Sequence, residues 1–248
     1  MNSLQWLRYF EQNRMNRIEP PWHLPSPLDD RARAATARSL SHFQLGESGE
    51  GKFLLDQARR QAPDDPSYAR ALALFIAEEK EHARLLRKLV ERFGGSLIGR
   101  HWTHALFRLA RRALGLNFEI QVLVIAEIVG TAYYRLLGLR TRDPVLEEFC
   151  TLVLRDEAKH VAFHVDWLCD VLSRRLPVEC AGWSLQFQLL FAAAAQVAWM
   201  DHRKALRVVG ANKREFFREA RAECINFLHA LDQRSPLVRG EPALISPA

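Results

Sequence analysis

DPSYARALALFIAEEKEH (residues 65–82) and DPVLEEFCTLVLRDEAKH (residues 143–160) follow one plan. Each opens with Asp-Pro, an aspartate able to accept from the first free amides of a helix and a proline suited to its first turn. In each, a glutamate stands 13 residues beyond the proline and a histidine three residues later: Glu79 and His82, Glu157 and His160. Residues three apart on a helix lie on one face, one turn apart, so each Glu and His can reach a single ion. Phe75 and Leu86 share the first face, Val153 and Leu168 the second, which turns the carboxylates toward a core. A buried anion is costly unless it is paired or bound to a cation.

The repeat predicts two helix hairpins joined by a longer connection, the layout of a four-helix bundle. LVIAEIVG (residues 123–130) places Glu127 as the one acid in an apolar run, on a helix expected from about Asn117 to Leu137, where Ile120, Leu123 and Tyr134 align with it. A first helix is expected from about Asp30 to Arg60, with Leu40, Phe43, Glu47, Glu50 and Leu54 on one face. Glu127 lies 17 residues before Pro144, while Glu50 lies 16 and Glu47 lies 19 before Pro66. The spacing therefore favours Glu50 over Glu47 as the fourth carboxylate. The helix from Pro66 is expected to end near Gly94-Gly95 and the helix from Pro144 before Pro177, with a short helix between them at about His104 to Ala113. Further helices are expected at about Gly182 to Val209 and Lys213 to Leu231. No useful stretch alternates with the period of a strand, so the fold class is all-α. The organisation expected is an N-terminal arm (1–29) holding Pro20, Pro21, Pro25 and Pro27, a bundle (30–176), and two additional C-terminal helices with a tail (177–248) packed on the same domain.

With 248 residues, 48% apolar and 26% charged, the chain has the balance of a globular domain with a sizeable core. Its net charge of +6 rests on arginine, scattered without a long run, so specific nucleic-acid binding is not the expected role. Cys150, Cys169, Cys180 and Cys224 form no CxxC pair, and Met1 to Arg14 lacks the apolar stretch of a secretory signal. Reduced thiols and a cytoplasmic location are the expectation. Trp183 to Met200 is apolar, but Ser184, Gln186, Gln188 and Gln196 make it a poor membrane span and a better buried helix. A membrane-surface position and a homodimer stay open.

One Glu from each of two helices plus a Glu-x-x-His from each of two others resembles the ferritin-like diiron-carboxylate superfamily, over about residues 35 to 170. FQLGESGEG (residues 43–51) with RDEAKH (residues 155–160) is most similar to its diiron oxidases and hydroxylases, such as the membrane-associated hydroxylase of ubiquinone biosynthesis and the tRNA-modifying diiron hydroxylase. The Gly-Glu motif of those hydroxylases favours Glu47, against the spacing, and the choice stays open. The resemblance implies a ferritin-like four-helix bundle and a metal set of Glu50 (or Glu47), Glu79, His82, Glu127, Glu157 and His160. It implies two iron ions, with di-manganese or mixed manganese and iron as alternatives. It further implies an oxidoreductase that uses dioxygen to hydroxylate, desaturate or otherwise oxidise an organic substrate, with an electron donor as partner. Non-catalytic iron storage or peroxide scavenging, and tRNA hydroxylation, are the competing readings.

Carboxylate and imidazole donors suit iron or manganese, and no cysteine pattern supports a thiolate site. His164, one turn beyond His160, is either a further ligand or a hydrogen-bonded neighbour of one. Asp156 and Glu78 directly precede the motif glutamates and can orient the histidines. Tyr134 is a candidate for the pocket wall, Gly130 for leaving room beside Glu127, and Tyr133 and Trp102 for packing.

Overall fold

The computed structural model describes residues 1–99 and 116–234. Among the described residues the chain forms eight α-helices and no strand. They are α1 (Ser3–Met15), α2 (Asp30–Glu47), α3 (Lys52–Gln61), α4 (Pro66–Arg92), α5 (Leu116–Arg140), α6 (Pro144–Ser173), α7 (Pro177–Val208) and α8 (Lys213–Arg234). The expected short helix at His104 to Ala113, and Trp102, lie outside the described residues.

The Asp-Pro starts behave as their chemistry requires. Asp65 Oδ1 accepts from the Tyr68 amide at 3.0 Å, and Asp143 Oδ1 accepts from Val145 and Leu146, each at 3.0 Å. These bonds satisfy amides that an α-helix leaves free in its first turn. Arg92 ends α4, as the glycine pair after it predicts.

The single helix expected over residues 30–60 is two. α2 stops at Glu47, and α3 starts after Gly51, whose φ is +65°. Glycines at 46, 49 and 51 weaken a helix here, because each adds backbone entropy that folding must remove. Gly51 also has no room for a side chain, since a Cβ there would lie 2.6 Å from Ile76 Cδ1. The break between α2 and α3 depends on both properties.

The segment expected as an arm is packed. α1 lies on α4 and buries Trp6, Leu7 and Phe10. Phe10 meets Phe163 of α6 edge-on at 5.3 Å, and the Trp6 indole donates to Asp166 Oδ2 at 2.7 Å. The proline-rich connection is held by Arg92, which donates to the carbonyls of Trp22 and Leu24.

Two hairpins form the centre of the helical bundle, α2 with α4 and α5 with α6. α7 packs on α2 and α5, and α8 packs on α5 and α6. The expected buried helix at Trp183 to Met200 is half exposed: Trp183, Phe187, Ala195 and Trp199 face inward, while Leu185 and Leu189 face out. α5 is the described helix long and apolar enough to cross a membrane, and 72% of its apolar window is buried in the bundle. All four cysteines are free thiols.

The core is two apolar clusters. One joins Phe10, Leu72, Phe75, Ile120, Phe163 and Leu168. The other joins Leu40, Leu86, Tyr133, Leu137, Phe149 and Trp199. Along α4, α5 and α6 the sequence passes from one cluster to the other through a band of acids and histidines. That band is the candidate site.

Candidate metal centre

α4 carries Glu79 and His82, α6 carries Glu157 and His160, and α5 carries Glu127. Ligand atoms of Glu79, His82 and Glu157 lie within 4.8 Å of one another, and those of Glu127, Glu157 and His160 do the same. Glu157 belongs to both groups, so its two oxygens can serve two ions. His160 Nδ1 stands 3.0 Å from Glu79 Oε1 and 3.4 Å from Glu157 Oε2, while His82 Nδ1 stands 3.7 Å from both Glu79 Oε1 and Glu157 Oε1. The two imidazoles thus turn the same atom toward one carboxylate cluster.

At the end of α2, Glu47 lies against Glu79 and shares a hydrogen bond with it. Glu50 is exposed on the loop that follows, so the structure brings Glu47 and not Glu50 to the cluster. Counting residues back from Pro66 presumes an unbroken helix, and the turn at Gly51 breaks it.

Each imidazole is held from behind by an acid of the opposite motif. His82 Nε2 pairs with Asp156 Oδ2 at 3.1 Å, and His160 Nε2 pairs with Glu78 Oε2 at 3.0 Å. A carboxylate on the far nitrogen fixes ring orientation and leaves the near nitrogen as the free donor. His164 has a different place: its Nε2 pairs with Glu127 Oε1 at 3.1 Å, which leaves Oε2 of that glutamate facing inward. Tyr134 is buried on the cavity wall, packed edge-on against Tyr133 and Phe149. Gly130 faces the same cavity, with no atom closer than 3.8 Å to where a Cβ would sit.

Glu79 Oε1, His82 Nδ1, Glu127 Oε2, Glu157 Oε2 and His160 Nδ1 are all buried without a well-formed hydrogen bond; His160 Nδ1 meets Glu79 Oε1 and Glu157 Oε2 only as close ion-pair contacts. Native proteins pair nearly all such groups. Five unsatisfied donor atoms converging on one volume fit a cation site, and their chemistry is that of hard to intermediate divalent metals. Without metal, protons carry the balancing charge. Burial and the adjacent Glu79 carboxylate push Glu47 well above the usual carboxylate range. Burial, together with the Glu79 charge, pushes Glu157 up to about 7 against the opposing hydrogen bond of His160. Burial would raise Glu79 too, but the close contacts of Glu47 and His160 outweigh it and hold this acid low. Burial likewise opposes the charge on His160, yet the close Glu157, Glu78 and Glu79 carboxylates keep it protonated well above the ordinary imidazole range.

A cavity of about 1240 Å³ opens on the cluster between α2, α3, α5 and α7. Phe43, Phe75, Leu123, Val129 and Ala194 contribute its apolar walls, and Glu47, Glu79, Glu127 and Glu157 its inner end.

Two participants were not apparent in the sequence: Asn13 and Arg17. Asn13 Nδ2 donates to Glu78 Oε1 at 2.7 Å and to Asp156 Oδ1 at 3.1 Å. Arg17 pairs with Asp156 Oδ2 at 3.2 Å and with Glu78 Oε1 at 3.3 Å. The apolar spacing of Leu7 and Phe10 marks α1 as amphipathic, but nothing local ties its polar side to the acids that hold His82 and His160.

The chain matches no protein-family model, no curated protein and no solved structure. The geometry of the cluster therefore carries the functional reading.

Proposed function

We propose that this chain is a ferritin-like diiron-carboxylate oxidoreductase. It holds two iron ions among Glu47, Glu79, His82, Glu127, Glu157 and His160, and oxidises an organic substrate with dioxygen. The observation that carries the reading is the set of buried donor atoms on Glu79, His82, Glu127, Glu157 and His160 that converge on one volume without a well-formed hydrogen bond. Four carboxylates neutralise two divalent ions, which removes the penalty for burying that many acids. When bound, iron supplies the reduction of dioxygen, with an electron donor providing what the substrate does not.

The chain's own residues do the rest. Asp156 and Glu78 orient the two imidazoles, and His164 holds one oxygen of Glu127. Phe43, Phe75 and Leu123 make the approach to the cluster apolar, which favours a substrate with an apolar portion and disfavours bulk water. An apolar approach with an acidic inner end favours a small or lipid-like molecule over tRNA, whose phosphates need a basic mouth.

Metal analysis of the purified chain tests this reading. About two transition-metal ions per chain are expected, lost in Glu127→Ala, and the same analysis separates iron from manganese, which the donors also suit. Many ions per chain would favour storage. No transition metal in the wild type would sink the reading. The oxidative step is checked by dioxygen consumption of the reduced, iron-loaded chain, and its absence would leave a metal protein without this activity.

A further inference from the structure

Resting on the metal reading above, we infer that Asn13 and Arg17 of the N-terminal segment are positioning residues for both ions at once. Their connections carry the inference. Glu78 and Asp156 stand on different helices, and each holds the imidazole that belongs to the other helix's motif. Asn13 reaches both carboxylates with a single amide nitrogen, and Arg17 reaches both with its two terminal nitrogens. One side chain on α1 and one just after it therefore close a ring: His82, Asp156, Asn13 or Arg17, Glu78, His160.

This arrangement is buried where it matters. The Asp156 side chain is 1% exposed, Glu78 is 3% and Arg17 is 19%. Two acids at this depth, each already pairing with a histidine, need further donors for their remaining oxygens. Arg155 supplies one to Asp156 from the rim. For Glu78, the donors shown are Asn13 and the imidazole itself, with the Arg17 guanidinium beside them as an ion pair. Without Asn13 and Arg17, Glu78 keeps only its imidazole and Asp156 only its imidazole and the rim contact of Arg155, so the hold that aims both Nδ1 atoms inward loosens. Outer partners of metal-binding histidines typically change affinity by about 10- to 100-fold. The particular consequence here is that one substitution weakens two sites.

The test uses the full-length chain, titrated anaerobically with Co(II), whose visible absorption reports each bound ion and its geometry. Arg17→Gln is expected to weaken both ions together by about tenfold or more. Asn13→Leu, which keeps the helix and its packing, is expected to do the same. Asp156→Asn weakens chiefly the ion of His82, and Glu78→Gln chiefly that of His160. Arg17→Lys restores part of the affinity because it returns the charge. Arg70→Ala controls for loosened docking: it removes the surface pair of Arg70 with Glu11 of α1, 3.3 Å apart, and should leave both affinities unchanged. Wild-type binding of two ions with unchanged affinities in Arg17→Gln and Asn13→Leu overturns this inference alone. So does a loss no greater than that of Arg70→Ala. A wild-type chain that binds no cobalt overturns the metal reading and this inference with it.

Discussion

Glu47 and Glu50 differ by less than one helical turn, yet they have opposite surroundings. Glu47 lies on the last turn of α2 beside Glu79, whereas Glu50 is in solvent. Glu47→Gln is expected to weaken metal binding by at least about tenfold, since it replaces a charged donor by a neutral one. Glu50→Gln should leave affinity within error of the wild type. Isothermal titration with Fe(II) under anaerobic conditions decides between them, and equal losses would contradict the placement of Glu47. The protonation of the cluster gives a second prediction at this scale. Glu157 sits near 7 and His160 above its ordinary value, so both must release protons before they can ligate. Metal affinity should rise steeply between about pH 6 and about pH 8, with proton release measurable in weakly buffered titrations. A flat profile would contradict it.

Among the elements, α1 and the α2–α3 turn carry most of what is particular to this chain. Phe10 is fully buried, between Trp6, Phe163 and the ring of His160. Removing such a ring leaves a cavity that the neighbours fill only in part, so Phe10→Ala should cost about 3–5 kcal/mol in chemical denaturation. A loss below about 1 kcal/mol, as at a solvent-facing site, would return α1 to the status of an arm. In the turn, Gly51→Ala must accept a left-handed backbone and displace the Ile76 side chain. A cost of about 1–3 kcal/mol is expected from the backbone alone. Because the turn follows Glu47 directly, metal affinity should fall with it, and intact affinity would show that α2 holds Glu47 unaided.

For the molecule as a whole, the site is a polar layer between two apolar clusters, and its stability depends on what balances its charge. In the metal-free chain Glu157 binds its proton more tightly folded than at its ordinary 4.5, with the folded value about 7. The stability it contributes is present at low pH and lost as pH rises through that window. His160, raised above 6.5, acts in the same direction, losing its contribution as pH rises through its folded value. Asp156 and Glu79, both held low, act the other way, but only in the acid range below their ordinary values of 3.8 and 4.5. The metal-free chain should thus be less stable at about pH 8 than at about pH 6, and metal should remove the difference by binding the folded form alone. Melting curves with and without Fe(II) at both pH values check this. A metal-free chain that gains stability over that interval would refute it.

Much of the centre is legible in the amino-acid sequence alone. The 13-residue spacing from proline to glutamate, the histidine one turn on, and the isolation of Glu127 among apolar residues are local signals. Local spacing determines which face a residue occupies, and an apolar face determines that it turns inward. For that reason Glu79, His82, Glu127, Glu157 and His160 come together where the two motifs, at equal depth, pointed. What only the tertiary structure decided involves helix ends and cross-helix partners. Glu47 lies beside the cluster and Glu50 does not because the helix breaks, and periodicity does not locate a break made by Gly51 and Ile76. Asp156 pairs with a histidine 74 residues away and Glu78 with one 82 away, so each motif's outer acid serves the opposite motif. Asn13 and Arg17 join that ring because α1 folds back onto α4, burying Phe10 and carrying its polar side to the two acids. Periodicity assigns a face, and packing chooses the neighbour it meets.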